Sequence, residues 1–325
     1  MTPPSKNSVT WQEVDDTSAG QRVDNYLLRL LKGVPKSHVY RILRSGEVRV
    51  NSRRVDATYR LAPGDRVRVP PVRTAESVVG NLRQPVSPLF HPELLFEDEW
   101  LLAINKPADL AVHGGSGISR GVVELLRHGE TPPFIELVHR LDKGTSGALL
   151  LAKKRSALKG MHEHLRTGQV EKRYLALVKG RWRNETRHVH LPLQKFVTAA
   201  GERRVSVVPG GQSSHTLFKL CERFREFSLL IAELKTGRTH QIRVHLAHLR
   251  HPIAGDDKYG DFELNRALAK CGLKRMFLHA WQLAFDHPMT GARIEVTAPL
   301  PIELGRFLNA LEPSRVTGDD VRSLV

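Results

Sequence analysis

The sequence predicts a two-domain chain of the α/β class, of the α+β kind, and three observations carry that expectation. The chain has 325 residues, and at roughly 150 residues per domain this length favours two domains with a sizeable core. A polar stretch from 70 to 92 holds Pro70, Pro71, Pro85, Pro88 and Pro92 with only weak periodicity, which reads as an extended linker. Beyond it, short β-like runs mix with helical patterns without regular strand-helix alternation, so hairpins are expected rather than a doubly wound sheet. The expected division is a small domain over 18–75, a linker over 76–92 and a larger domain over 93–313, with the last dozen residues loose.

In the small domain, Val23, Tyr26, Leu27, Leu30 and Leu31 repeat at helical spacing. Val39, Ile42 and Leu43 do so again before Gly46, a suitable residue just past a helix end. Val48 and Val50 then alternate with Glu47 and Arg49. Asn51-Ser52 offers a turn, and Pro63-Gly64-Asp65 offers another before Val67 and Val69. The predicted order is α-α-β-β. In the larger domain the β-like runs are 101–105, 135–138, 148–152, 173–178, 229–234 and 293–296, and helical patterns cover 122–127, 156–165 and 239–249. The sequence contains no internal repeat.

Charge narrows the class of partner. Lys plus Arg number 50 against 34 Asp plus Glu, a net charge of +16, which suits a polyanion and puts nucleic acid foremost. With 40% hydrophobic residues the chain is a folded protein and not a basic disordered tail. Residues 1–75 hold 14 Lys/Arg against 7 Asp/Glu, so the N-terminal quarter is the denser basic surface. Lys36, Arg41, Arg44, Arg49, Arg53 and Arg54 gather on the second helix and the following turn, opposite the apolar stripe. A solvated helix face is the plain alternative, and the scarcity of acids in the cluster favours RNA or DNA contact. Cys221 and Cys271 are too few for a disulfide framework or a Cys-based zinc site. The first ten residues lack an apolar signal core, and runs such as Ala148 to Ala152 are far too short to span a membrane. A soluble, cytoplasmic protein with no membrane partner is expected.

The densest reactive cluster is His139-Arg140-Leu141-Asp142-Lys143-Gly144-Thr145-Ser146-Gly147, a polar loop between two β-like runs. Nearby positive charge favours the charged form of a carboxylate, and an ionised aspartate at a strand end can be a nucleophile or a base. A salt-bridged turn aspartate is the equally weighted alternative. Gly144 to Ala148 lacks the final glycine of a nucleophile elbow, and His113-Gly114-Gly115-Ser116-Gly117 lacks the Gly-Lys-Ser/Thr of a phosphate loop, reading instead as a flexible turn near the site. The histidine-rich helix containing His240, His245 and His248 has no H-E-x-x-H and no carboxylate at helical spacing, so no metal is expected there. The neighbours His162 and His164 point to different faces of a helix. No metal and no cofactor are expected.

Several motifs carry a resemblance. The stretch from Arg22 to Val55 looks like an S4 RNA-binding domain. His139-Arg140-Leu141-Asp142 followed by Thr145-Ser146-Gly147 resembles the catalytic motif of the RluA-type pseudouridine synthases, which isomerise uridine in RNA. Ile104-Asn105-Lys106-Pro107 with Val112-His113, then Lys172 to Val178, Gly237 to His245, His251 to Gly260 and Phe277 to Ala280, agree with that family in order and spacing. The resemblance covers about residues 18 to 310 and implies a mixed, mainly antiparallel sheet in the larger domain. Within the family, Val112 to Gly117 and Ala152 to Leu158 look like the subgroup acting on large-subunit (23S) ribosomal RNA. That subgroup carries Arg-Asp where this chain has Lys143-Gly144.

The resemblance implies residue roles. Asp142 matches the carboxylate that works at the sugar, either adding to C1′ or removing the 2′ proton to give a glycal. Tyr174 matches the tyrosine on which an extruded uracil stacks. Arg140 matches the arginine that fills the vacated space, and Arg243, with Ile242 beside it, belongs to the substrate-binding arginine motif, Arg243 pairing with the aspartate. Read from the residues alone, Tyr174 is a core aromatic, Arg243 the exposed face of an amphipathic helix, and Lys106-Pro107 a strand-ending turn. The expected partner is 23S ribosomal RNA or a large-subunit precursor, met by a monomer with no obligate protein partner. A non-catalytic RNA-binding or ribosome assembly protein is the alternative, and a hydrolytic RNA enzyme lacks a convincing metal cluster.

Overall fold

The computed structural model describes residues 8–15, 18–31, 34–72, 90–114, 120–127 and 134–312. Most of the expected linker, with Pro85 and Pro88, lies outside them, as do Gly115, Ser116, Gly117 and the last dozen residues. The chain divides into two units, Met1–Pro88 and Leu89–Val325.

The first unit contains β1 (Thr10–Glu13), α1 (Val23–Leu30), α2 (Lys36–Arg44), β2 (Arg49–Val50) and β3 (Arg66–Val69). Its antiparallel sheet runs β1-β3-β2, so the order is β-α-α-β-β and the unit begins before residue 18. β1 carries no apolar alternation: its buried residue is Gln12 and its Trp11 is exposed, which hides it from hydrophobic periodicity. Gly46 ends α2 with φ +76°, a conformation that suits glycine. Asn51 and Ser52, both with positive φ, close a two-residue turn against Arg53. The predicted apolar stripe, Val23, Tyr26, Leu27, Val39, Ile42 and Leu43, packs with Val48, Val50, Val67 and Val69 into one core.

The second unit runs β4 (Glu93–Glu97), β5 (Leu101–Lys106), α3 (Val122–Arg127), β6 (Glu136–Leu137), β7 (Ser146–Ala152), α4 (Arg155–Arg166) and β8 (Glu171–Lys179). It continues through β9 (Thr186–His190), β10 (Leu193–Val197), β11 (Arg203–Val207), β12 (His215–Arg223), β13 (Phe227–Leu234), α5 (Gln241–His248) and α6 (Phe262–Lys270). β14 (Leu278–Asp286), β15 (Arg293–Thr297) and α7 (Ile302–Asn309) complete it. Among the described residues, ten strands form one sheet in the order β4-β5-β7-β14-β8-β13-β12-β9, with β6 on β7 and β15 on β14. The β7-β14 pair is parallel and the other pairs are antiparallel. β10 and β11 make a separate hairpin.

Strand alternation feeds two sides of the sheet. Leu102, Ile104, Leu149, Leu151, Tyr174, Ala176 and Val178 share one core with Ile242 and Leu246 of α5. Leu101, Ala103, Leu150 and Ala152 join Ala157 and Met161 of α4 in another, and Leu175 and Leu177 pack with Leu304, Phe307 and Leu308 of α7. Every residue of β7 is buried. Gly147 makes the parallel contact feasible, because a Cβ there would collide with the Ala280 carbonyl.

Candidate active site

The loop between β6 and β7 presents the predicted aspartate, and three fastenings hold it. His139 accepts the Leu150 N–H at its Nε2 (3.2 Å), and burial pushes its imidazole down to about 4. Leu141 is buried in the core beside Tyr174. Lys106, fully buried, donates through Nζ to the carbonyls of Pro107 (2.7 Å), Leu110 (2.8 Å) and Lys143 (3.2 Å). Burial, helped by the charge of Arg275, pushes this ammonium down to about 7, while three carbonyl acceptors match its three donors. Lys106 is therefore more than a strand-ending turn: it ties the catalytic-type loop to the end of β5. Ser146 adds a further brace, its hydroxyl accepting from Arg275 Nη2 (2.7 Å) and bonding His279 Nδ1 (2.9 Å).

Asp142 lines a cleft of about 610 Å³ together with Leu141, His139, Tyr174, Gln241, Ile242 and Leu278. Among the described residues it is the one carboxylate of the lining, which also includes Arg140, Arg166, Lys172, Lys235, Arg238 and Arg243. The expected sequence neighbours are not its ionic partners. Among the described residues the ion pair of Asp142 goes to Arg243 Nη1 (3.4 Å), with His240 Nε2 3.8 Å away, whereas Arg140 and Lys143 are exposed. Proximity along the chain gives way here to the approach of α5.

Arg243 is 6% exposed at its side chain, so the exposed-helix-face reading of it fails. Asp256 takes its Nε and Nη2, each at 2.7 Å, Asp257 lies 3.2 Å from Nη2, and the Tyr259 ring centroid is 5.1 Å from the guanidinium carbon. Burial opposes the charge of both partners, but their mutual hydrogen bonds outweigh it, raising Arg243 above and lowering Asp256 below their ordinary values. Asp256 also accepts from the backbone N–H of Lys258 (2.8 Å) and Tyr259 (3.0 Å). With its second oxygen and both edges so committed, Asp256 fixes the guanidinium and leaves Nη1 for Asp142.

α5 starts from a strained position: His240 has φ +53°. The buried Gln241 fastens that turn, accepting from Thr236 Oγ1 (2.8 Å) and Arg238 N (3.0 Å) and donating to the His215 carbonyl (3.0 Å) and Thr216 Oγ1 (2.9 Å). Burial holds His240 below its ordinary value. The Tyr259 hydroxyl accepts from the Val205 N–H (3.0 Å) and lies 2.8 Å from His240 Nδ1, which holds the imidazole with its Nε2 on the Asp142 side. His245 of the same helix is a core group bonded to Ser214 and Thr216, not an RNA-facing one. Tyr174 is 6% exposed and packed in the core, and it also lines the cleft. Burial, then the charge of Asp142, raises its phenol. Asp256 is a site residue the sequence did not single out, and His240 was weighed there only as a metal ligand; the Gly255-Asp256-Asp257 stretch lay within a quoted motif without saying which aspartate turns inward.

In the first unit Lys36, Arg41, Arg44, Arg49, Arg53 and Arg54 are all exposed, and among the described residues none forms an ion pair with an acid. Arg54 donates to the Arg44 carbonyl and Arg49 Nε to the Gly46 carbonyl (3.3 Å), which gathers the cluster around the end of α2. No helix among the described residues is long and apolar enough to cross a membrane.

Comparison with known proteins fits both units. A family model described as RNA pseudouridylate synthase matches residues 100–248, and one described as S4 domain matches residues 21–67. The chain belongs to the family of RNA pseudouridylate synthases, isomerases that act on RNA. Ribosomal large subunit pseudouridine synthase C of Pasteurella multocida (strain Pm70) is 50% identical over 306 residues, covering 93% of this chain and 94% of that protein. The protein of the same name from Yersinia pestis is 52% identical over 296 residues, covering 90% and 92%, and that of Escherichia coli (strain K12) 50% over 303 residues, covering 91% and 95%. Human RNA pseudouridylate synthase domain containing 4 matches in structure with a TM-score of 0.55 at 27% identity, covering 68% of this chain and 95% of that one.

Proposed function

We propose that this chain converts uridine to pseudouridine at defined positions of large-subunit (23S) ribosomal RNA, with Asp142 as the catalytic group. The observation that carries this reading is the cleft, whose lining among the described residues combines a single carboxylate, Asp142, with six cations and the buried Tyr174. The substrate assignment is supported by the names of the relatives, which are half identical over nine tenths of the chain.

The reaction breaks the N1 to C1′ bond, turns the uracil in place and joins C5 to C1′; the proton lost from C5 is balanced by one taken up at N1. A carboxylate at the sugar serves either by adding to C1′ or by taking the 2′ proton. Asp142, 28% exposed, combines solvent access with a fixed direction, because its loop is pinned on both sides. The target base must leave the stack to reach it. Tyr174 offers the flat face and Ile242 an apolar wall, and Arg140, exposed on the cleft, is free to enter the gap left in the RNA. Arg243 is a positioning residue: held by Asp256, it orients the carboxylate of Asp142. The exposed arginines of the S4-like unit supply phosphate contacts, which carry affinity and not chemistry. Action as a monomer is the oligomeric state we assign to it, and a ribosomal substrate supports a cytoplasmic setting.

Ribosomal RNA incubated with the protein and mapped by the carbodiimide block to reverse transcription should show new stops that Asp142→Asn abolishes. An RNA-binding assembly protein would give no stops with either form.

A further inference from the structure

We propose that His188, His190 and His215 form a binding site for a divalent transition ion of the zinc type, separate from the isomerisation chemistry. His188 and His190 stand two apart on β9, the strand that ends the sheet, so their side chains share a face. His190 lies directly opposite His215 on β12, and His188 is the diagonal neighbour, opposite Leu217. Diagonal positions are about 7–8 Å apart, within reach of long side chains. Val189, between the two, points the other way into the core, which fixes the face the histidines occupy.

The strands thus gather three imidazoles. His188 Nδ1 and His215 Nε2 are 2.9 Å apart, the His190 and His215 rings stack with centroids 3.9 Å apart, and one ring nitrogen from each residue lies within 4.8 Å of the others. Zinc with Zn–N bonds of about 2.0–2.1 Å in tetrahedral geometry holds its nitrogens about 3.4 Å from one another. That spacing falls between the distances already present. Imidazole suits zinc, nickel and copper and not the oxygen-seeking magnesium, and three protein ligands leave a fourth position to water. His188 and His190 are exposed, so an ion enters without opening the core. None of the three lines the cleft, but the His215 backbone is bonded to Thr236 and Gln241, which do. The ion therefore clips the edge strand β9 to β12 beside the cleft rim.

The test is a calorimetric titration of untagged, chelator-stripped full-length protein with zinc chloride. One ion per chain should bind with a Kd of about micromolar or tighter, undisturbed by excess magnesium chloride, and cobalt(II) chloride should give the visible absorption of a tetrahedral site. Zinc should raise the melting temperature, since it binds only the folded strand pair. The double variant His188→Asn/His190→Asn, altered at exposed positions only, should lose at least about a hundredfold in affinity together with the thermal shift. His215→Gln, prepared separately, should show the same loss. No zinc binding at about 100 μM by the parent protein, or cobalt absorption and affinity retained in a folded variant, overturns the site.

Discussion

The two units of the molecule use positive charge in opposite ways. In the first, six cations stand exposed on α2 and the following turn with no acidic partners among the described residues, beside an apolar core of valines, leucines, Ile42 and Tyr26. In the second, the decisive cation, Arg243, is buried and shared among Asp256, Asp257 and Asp142. Exposed charges are interchangeable, salt-screened and cheap to lose. A buried pair is geometric: its desolvation has already been met, and removing one partner strands the other. Binding RNA needs the first arrangement and aiming a carboxylate at one sugar needs the second.

The sharpest break in that comparison is Asp142→Asn. Single-turnover pseudouridine formation should fall at least about a thousandfold, while RNA affinity stays within about tenfold, ~1.4 kcal/mol, because the phosphate-binding surface is untouched. Sustained turnover in a well-folded variant would sink the catalytic assignment. Next in size is Asp256→Asn, which leaves Arg243 short of a buried partner. Urea unfolding should show a loss of about 3 kcal/mol, and turnover should drop even under conditions where the protein remains folded. A stability change below about 0.5 kcal/mol, the range of ordinary surface substitutions, would mean that the pair does not carry the geometry ascribed to it.

Acid should separate the units as well. Burial holds the fully enclosed His245 and His279 at about 4, whereas an unfolded histidine titrates near about 6.5. Between these values the unfolded chain takes up protons that the folded one refuses, so stability falls as pH drops, by about 2 kcal/mol per histidine at about pH 5. In the first unit, burial works against the charge of Asp24, yet the Arg22 hydrogen bond (2.6 Å) keeps that carboxyl below its ordinary value. Its contribution persists until pH falls through that lower folded value. Hydrogen exchange read segment by segment should find the second unit opening first as pH is lowered from 7 to 5, and the reverse order would contradict the burial argument. The smallest effects belong to the exposed arginines. Replacing Arg49, Arg53 or Arg54 by Gln should lower the slope of log affinity against log salt by about 1 each and shift the melting temperature little. Unchanged salt slopes in all three would remove RNA from that face.

Much of this organisation was legible in the residues because it rests on periodicity and on local motifs. The stripes of α1 and α2, the run of β7 and the loop around Asp142 stand where the pattern put them. Legibility failed where burial has no stripe. From Gln241 to Leu246 of α5 every residue is buried, so the helix shows no polar face, and Arg243 read alone resembled a surface residue. Lys106 looked like turn punctuation because nothing in Lys-Pro tells of three carbonyls converging on Nζ. The histidines of β9, His188 and His190, escaped notice in the sequence, because their third member, His215, becomes a neighbour only through the β9-β12 register. Long-range pairing is the information a local pattern lacks.

The sheet order has a consequence for the chain while it is being made. β7 and β8 follow each other closely in sequence, yet β14 lies between them, and it begins at Leu278, long after β8 ends at Lys179. At synthesis rates of about 5–20 residues per second, β7, which follows the Asp142 loop, and β8 wait about 5–20 s for the strand that joins them. Through that interval Ser146 and Gly147, at the start of β7, lack their pairing with His279 and Ala280, and an open edge of this kind recruits other nascent chains. The isomerase site is thus among the last parts of the molecule to come into being, and translation speed across residues 180–278 sets how long the unfinished sheet stays open to misassembly.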